Sequence, residues 1–202
     1  MNHIIPLEHG KFYHLYNRGI NGCDIFRETT NYEYFFDLYL KHIEPIADTY
    51  AWVLMKNHFH FLVRIKDLPA ASNLPVSASP EELKQKPPYQ YFSNLFNAYT
   101  KAYNKKYSRT GSLFEKNFRR KHIHNEAYLR RVLLYIHTNP VHHRFCKHPQ
   151  DYPWSSYLSC ISLKPTHLRR EAVIGWFDDV GNFIHCHERK VDAGPIEKWL
   201  EL

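Results

Sequence analysis

The chain has 202 residues, enough for one ordinary domain with a short appendage and too few for two full ones. A hydrophobic content of 44% with 16% aromatic residues allows a proper core and excludes a globally disordered chain, while the lack of any run of eighteen apolar residues excludes a membrane-spanning helix. The net charge is +7, with fifteen histidines.

The N-terminus has no basic start followed by an apolar stretch, so it does not read as a signal peptide. Lys11 to Arg18 alternates and ends at Gly19, which predicts a strand running into a turn. Thr30-Asn31-Tyr32-Glu33 has capping-box form. Tyr32, Phe35, Phe36, Tyr39 and Ile43 continue at helical spacing until Pro45. Tyr50 to Lys56 and His58 to Ile65 read as two strands joined tightly near Lys56-Asn57. Residues 66–88 carry five of the twelve prolines with Ala, Ser and Asn, and read as a long flexible insertion.

A second helix is predicted from about Gln90 to Lys106, with Phe92, Leu95, Phe96, Tyr99, Ala102 and Tyr103 on one face. Ser108 to Gly111 is a turn, Ser112 to Ile123 is extended, and a third helix runs from Glu126 to Thr138, stopping before Pro140. Beyond Trp154 the pattern weakens, with one helix near Leu168 to Phe177 and another near the C-terminus. The order strand, helix, strand, strand, helix, strand predicts an α+β, ferredoxin-like (RRM-like) antiparallel sheet with helices on one face. The third helix and the C-terminal helices are additions to it. Cys23, Cys146, Cys160 and Cys186 are far apart with no C-x-x-C pair, which fits a reducing cytoplasm and no cysteine zinc site.

The positive charge is concentrated. Between Tyr99 and Lys147 stand twelve Lys or Arg residues against Glu115 and Glu126, a net +10 in one segment. Interleaved with Tyr and Phe, such a segment suits a polyanion whose unpaired bases can stack. A well-solvated cationic surface is the alternative.

In His58-Phe59-His60-Phe61-Leu62-Val63-Arg64-Ile65, alternation puts Phe59, Phe61, Val63 and Ile65 on a wholly apolar face that must meet the helices. His58, His60, Leu62 and Arg64 share the other, expected to be less deeply covered. Two imidazoles at i and i+2 can bind one metal ion together but need a third ligand from elsewhere; a pair of surface histidines is the other reading. On the third helix Leu129, Val132, Leu133 and Ile136 form a core stripe, with Tyr128, Tyr135 and Asn139 on its shoulder. Tyr135 and Asn139 are i and i+4, so both can point at one small site. A phenol, with an ordinary pKa of about 10, becomes a sensible nucleophile only beside a group such as a cation that eases its deprotonation.

Together these motifs resemble a known family. His58-Phe59-His60 resembles the HUH motif of the single-tyrosine HUH transposases, and Tyr135-Ile136-His137-Thr138-Asn139-Pro140-Val141 resembles the tyrosine helix of their REP-associated (RAYT-like) branch. Tyr16-Asn17-Arg18-Gly19, Arg109-Thr110-Gly111-Ser112-Leu113-Phe114 and Tyr152-Pro153-Trp154-Ser155-Ser156-Tyr157 are similar to further family segments, in the family's order. The resemblance implies a bacterial, nucleoid-associated transposase domain over 1–157 with a helical extension over 158–202. It would act on single-stranded DNA with hairpins, at repeats or transposon ends, as a monomer or homodimer and with no membrane partner. By the family's mechanism His58 and His60, with Asn139 as third ligand, hold one Mg²⁺ or Mn²⁺, and Tyr135 attacks the scissile phosphate to give a 5′-phosphotyrosine and a free 3′-OH. Arg18 is placed near DNA by the resemblance. Lys101, Lys105, Arg109, Arg119, Arg120, Lys121, Arg130 and Arg131 belong to the basic segment expected to contact phosphates. The alternatives are a non-catalytic single-stranded or hairpin nucleic-acid-binding domain and, ranked last, a zinc hydrolase built on His58 and His60. His185-Cys186-His187 reads as an incidental cluster.

Overall fold

The computed structural model describes residues 5–68 and 86–189, together with Gly194, Ile196 and Lys198. Most of the expected 66–88 insertion lies outside the described residues. Four strands, β1 (Phe12–Arg18), β2 (Ala47–Met55), β3 (His58–Ile65) and β4 (Arg119–Ile123), form one sheet in the order β2-β3-β1-β4. Each neighbouring pair is antiparallel. Helices α1 (Thr29–His42) and α2 (Pro88–Lys106) cover one face, an α+β arrangement consistent with a ferredoxin-like core.

That face is built as the alternation predicts. Phe59, Phe61, Val63 and Ile65 of β3 are buried with Tyr13 and Leu15 of β1 against Phe35 and Tyr39 of α1 and Phe92, Leu95 and Tyr99 of α2. Tyr39 stacks on Phe61 with ring centroids 4.3 Å apart. Helix α1 begins one residue before the expected capping box. Glu28 is its N-cap without a side-chain cap bond, and Asn31 instead accepts the Arg27 backbone N–H at 2.9 Å. Helix α2 starts at Pro88, where a missing N–H costs nothing.

The second face differs from expectation. His60 and Leu62 are buried rather than lightly covered, because α3 (Glu126–His142) lies over them, backed by three short helices on the same side of the sheet. These helices are α4 (Tyr157–Ile161), α5 (Arg170–Gly175) and α6 (Val180–Glu188). Leu129, Val132, Leu133 and Ile136, the expected stripe, pack with Val53, Met55 and Leu62 of the sheet and with Tyr157, Val173, Phe177 and Phe183. Of the predicted extension over 112–123, only β4 and an isolated bridge between Phe114 and Gly19 are sheet. The N-cap of α3 is Asn125, whose side chain accepts the Tyr128 N–H at 3.0 Å. The helix does not stop at Pro140. It continues to His142, closed by bonds from His143 N to Asn139 O and from Phe145 N to Pro140 O, with the proline ring buried.

A buried polar relay fastens α6 to α3. His187 Nδ1 lies 2.7 Å from the Phe183 carbonyl, which only accepts, so His187 donates there and its Nε2 accepts. His137 Nδ1, 2.9 Å away, then donates to His187, and Ser156 Oγ donates to His137 Nε2 at 2.7 Å. The Phe183 carbonyl sets the two imidazole protons, and the Ser156 hydroxyl, donating to His137, leaves the Trp52 carbonyl at 3.2 Å as its longer, secondary acceptor. Ser156 also accepts the Trp52 N–H of β2 at 2.8 Å, so the relay joins sheet, α3 and α6. His185 is exposed while His187 is buried, and among the described residues no group of three His, Cys, Asp or Glu is placed to hold a metal ion.

Candidate active site

The site lies where the N-terminal end of β3 meets β1 beneath α3. Antiparallel pairing places Tyr16 opposite His60, Arg18 opposite His58, and His14 opposite Leu62, all on the face that α3 crosses. The i, i+4 spacing on α3 then delivers Tyr135 and Asn139 to the two histidines. The Tyr135 ring stands edge-on to His60 at 5.4 Å and to His14 at 6.2 Å. Asn139 Oδ1 is 3.0 Å from His58 Nε2, and Asn57 Oδ1 is 2.8 Å from His58 Nδ1. A cleft of about 470 Å³ opens over this group, lined among others by Tyr16, Arg18, His58, His60, Arg119 and Tyr135.

Burial sets the charge state. Desolvation pushes the His58 pKa down to about 4, against a smaller opposing effect of Asn139, and holds His60 well below the usual imidazole range, helped by His14 and His58. Both are neutral at pH 7, the form that ligates metals. Neutral His58 has one N–H to give. Donated to Asn57, it leaves the Nε2 lone pair facing the oxygen of Asn139, and two acceptors 3.0 Å apart repel each other but suit a cation. The donor set of two imidazoles and an amide oxygen therefore fits a divalent ion, and chemically suits Mn²⁺ better than Mg²⁺.

The residues expected to contact DNA are spread around this centre. Arg119 lines the cleft, and Arg18 stands at its mouth, ion-paired with Glu115 at 2.5 Å. Lys121 projects from the same face of β4 as Arg119, two residues on. Arg120 lies on the opposite face, its guanidinium 4.4 Å from the Phe118 ring centroid. Arg130 donates to the Trp176 carbonyl at 3.2 Å, and Arg131 sits 5.8 Å from the Tyr128 ring. Lys101 and Lys105 are exposed on α2, across the sheet from the cleft. Arg109 braces its own turn through Asn104 and the Ser112 carbonyl.

Three site residues escaped the sequence reading, His14, Asn57 and His143, and Tyr16 entered it only as part of a family segment, with no role. His14-x-Tyr16-x-Arg18 alternates like His58-x-His60, but only the β1–β3 register brings the two rows together. His143, just past α3, has its ring 5.2 Å from His58. Gly19 follows Arg18 in the turn after β1. Its N–H bonds Asn57 O at 2.8 Å, and a Cβ there would come within 2.0 Å of the Cys23 carbonyl oxygen.

The architecture is thus an antiparallel α+β sandwich that buries a tyrosine and paired histidines beside a cation-edged cleft. No family model matches the sequence, and no curated protein matches it. Among solved structures, the fold is similar to that of a REP-associated tyrosine transposase bound to a REP hairpin. The TM-score is 0.62 at 18% identity, covering 82% of this chain and 88% of that one. The likeness is one of fold, and it extends over most of both chains.

Proposed function

We propose that the protein is a metal-dependent HUH-type transposase or endonuclease that cleaves and rejoins single-stranded DNA at hairpin-containing sites. One observation carries the reading: Tyr135, His58 and His60, from two separate elements, line one cleft with Asn139 against His58. The fold likeness to a hairpin-bound transposase supports the choice of substrate.

His58, His60 and Asn139 would hold one Mg²⁺ or Mn²⁺, which supplies Lewis-acid polarisation of the scissile phosphate. Tyr135 is the nucleophile. Its phenolic oxygen forms the bond to phosphorus as the bond to the 3′ oxygen breaks, leaving a 5′-phosphotyrosine and a free 3′-OH. A second 3′-OH reverses the step and joins strands without ATP, because the phosphotyrosine keeps the diester's reactivity. Arg18 and Arg119 neutralise the strand in the cleft, while Lys101, Lys105, Arg109, Arg120, Lys121, Arg130 and Arg131 extend the basic surface outside it.

The test is incubation with end-labelled single-stranded hairpin DNA and Mn²⁺, followed by denaturing electrophoresis. The expected result is a protein–DNA adduct that is lost with chelator and in Tyr135→Phe, and retained in Tyr16→Phe. An adduct that survives Tyr135→Phe and vanishes in Tyr16→Phe makes Tyr16 the nucleophile. Tyr107 is tied to Glu28 and Asn31 on the other side of the sheet, so it does not compete. Hairpin binding without any cleavage by the unaltered protein would make it a non-catalytic binding domain.

A further inference from the structure

His14 sits one strand away from the metal-ligand candidates and is fully buried. Its ring stacks on His60 at 5.0 Å and on Tyr16 at 5.1 Å, and its Nε2 lies 3.0 Å from His60 Nδ1. Its other nitrogen, Nδ1, is buried with no hydrogen-bond partner. Among the described residues only one other buried side-chain nitrogen or oxygen is in that condition, the Nδ2 of Asn139. Each orphan thus belongs to a residue whose other polar atom lies 3.0 Å from a ring nitrogen of one of the two paired histidines. Leaving a buried polar atom unpaired is unfavourable, and such an atom in a native fold calls for a reason. An apolar ring would stack equally well against Tyr16 and His60 but would leave the buried His60 Nδ1 without the contact that His14 Nε2 gives it, so the histidine serves through its nitrogen rather than through packing.

The hydrogen between the two rings supplies the reason. Resting on the proposed metal-assisted activity, we propose that His14 is a positioning residue for the metal site: it accepts the Nδ1–H of His60, holds that ring, and leaves Nε2 as the lone-pair nitrogen of His60. A metal-ligating imidazole needs its second nitrogen to donate to an acceptor that fixes the tautomer and the ring plane. A carbonyl or carboxylate usually serves. Here the acceptor is a second imidazole. With the hydrogen on His14 instead, His60 would carry its own on Nε2 and could not ligate.

Nitrogen-15 NMR of the His60 ring in the metal-free protein reads the tautomer directly, and calorimetry with MnCl₂ reads the affinity. The expected tautomer in the unaltered protein is Nδ1–H. His14→Phe keeps the stacked ring and removes the acceptor. It should abolish the single tautomer and weaken Mn²⁺ binding about 10- to 100-fold, with a thermal midpoint no higher than that of the parent, because the orphan at His14 Nδ1 is exchanged for one at the buried His60 Nδ1. His14→Asn, which restores an acceptor oxygen, should recover part of the affinity. A His60 protonated on Nε2 in the unaltered protein overturns the proposal, as does a His14→Phe variant with unchanged tautomer and affinity. If no Mn²⁺ binds to the unaltered protein while His60 still loses its tautomer in His14→Phe, the metal reading fails and the positioning role of His14 stands.

Discussion

Asn139, the third ligand of the proposed metal site, has a side chain that is wholly buried yet poorly satisfied. Its oxygen lies 3.0 Å from His58 Nε2, and its nitrogen has no hydrogen-bond partner. For stability alone, alanine would serve nearly as well, since it removes the orphan donor together with a single contact to His58. Asn139→Ala should therefore change the unfolding free energy by less than about 1.5 kcal/mol. In Mn²⁺ titrations it should lower affinity by roughly 10- to 100-fold. Equal Mn²⁺ affinities for variant and parent would remove Asn139 from the ligand set. At this scale the sequence was half legible. His58 and His60 follow from a period of two, and Tyr135 with Asn139 from a spacing of four, both local rules. His14 and Tyr16 obey the same period of two, but their nearness to His60 depends on pairing between strands more than forty residues apart, which no local pattern encodes.

Elements sort the basic residues that composition lumps together. In β4 the run Arg119-Arg120-Lys121 looks like one patch, yet alternation turns Arg119 and Lys121 to the histidine face and Arg120 to the α1–α2 face. Arg119 lines the cleft, so Arg119→Gln should weaken hairpin DNA binding and lower the slope of log affinity against log salt by about 1. Arg120→Gln should lower it less. Salt titrations in which the two variants behave alike would mean that the strand wraps both faces of β4. The same scale shows why some boundaries misled. Thr30 and Glu33 fit a capping box, but α1 starts earlier because Lys106 and Tyr107 of the α2 terminus engage Glu28, and Asn31 takes the Arg27 N–H. Pro140 signals a stop by its missing N–H, and the helix runs on because the proline ring is buried and the bonds that follow close the turn around it.

For the whole molecule, the decisive feature is that both faces of the sheet are covered. The helices over the second face enclose histidines that a one-sided sheet would leave in water. His14, His58, His60, His137 and His187 all have pKa values held down by burial, to about 3 for His14 and about 4 for His58 and His187. A histidine neutral in the fold and ordinary when unfolded binds its proton only in the unfolded chain between those values. Stability is then full above the unfolded pKa of 6.5 and falls as the pH drops from 6.5 toward 4. Each such group contributes a slope of up to about 1.4 kcal/mol per pH unit. All five shifts have the same sign, so their effects add in one direction. Glu8 and Glu28, held below the ordinary carboxylate value of 4.5, add their own loss only beneath that pH. The interval from 6.5 to 4.5 therefore isolates the histidines. Denaturant unfolding followed by tryptophan fluorescence should show the midpoint falling steeply through this interval, with acid unfolding before pH 4. Mn²⁺ added at pH 6 should raise the midpoint, because an ion held by His58 and His60 competes with their protonation and binds only the folded chain. A midpoint that stays level from pH 7 to 5 would mean that these imidazoles take up protons as readily in the fold as out of it, and that water reaches the second face after all.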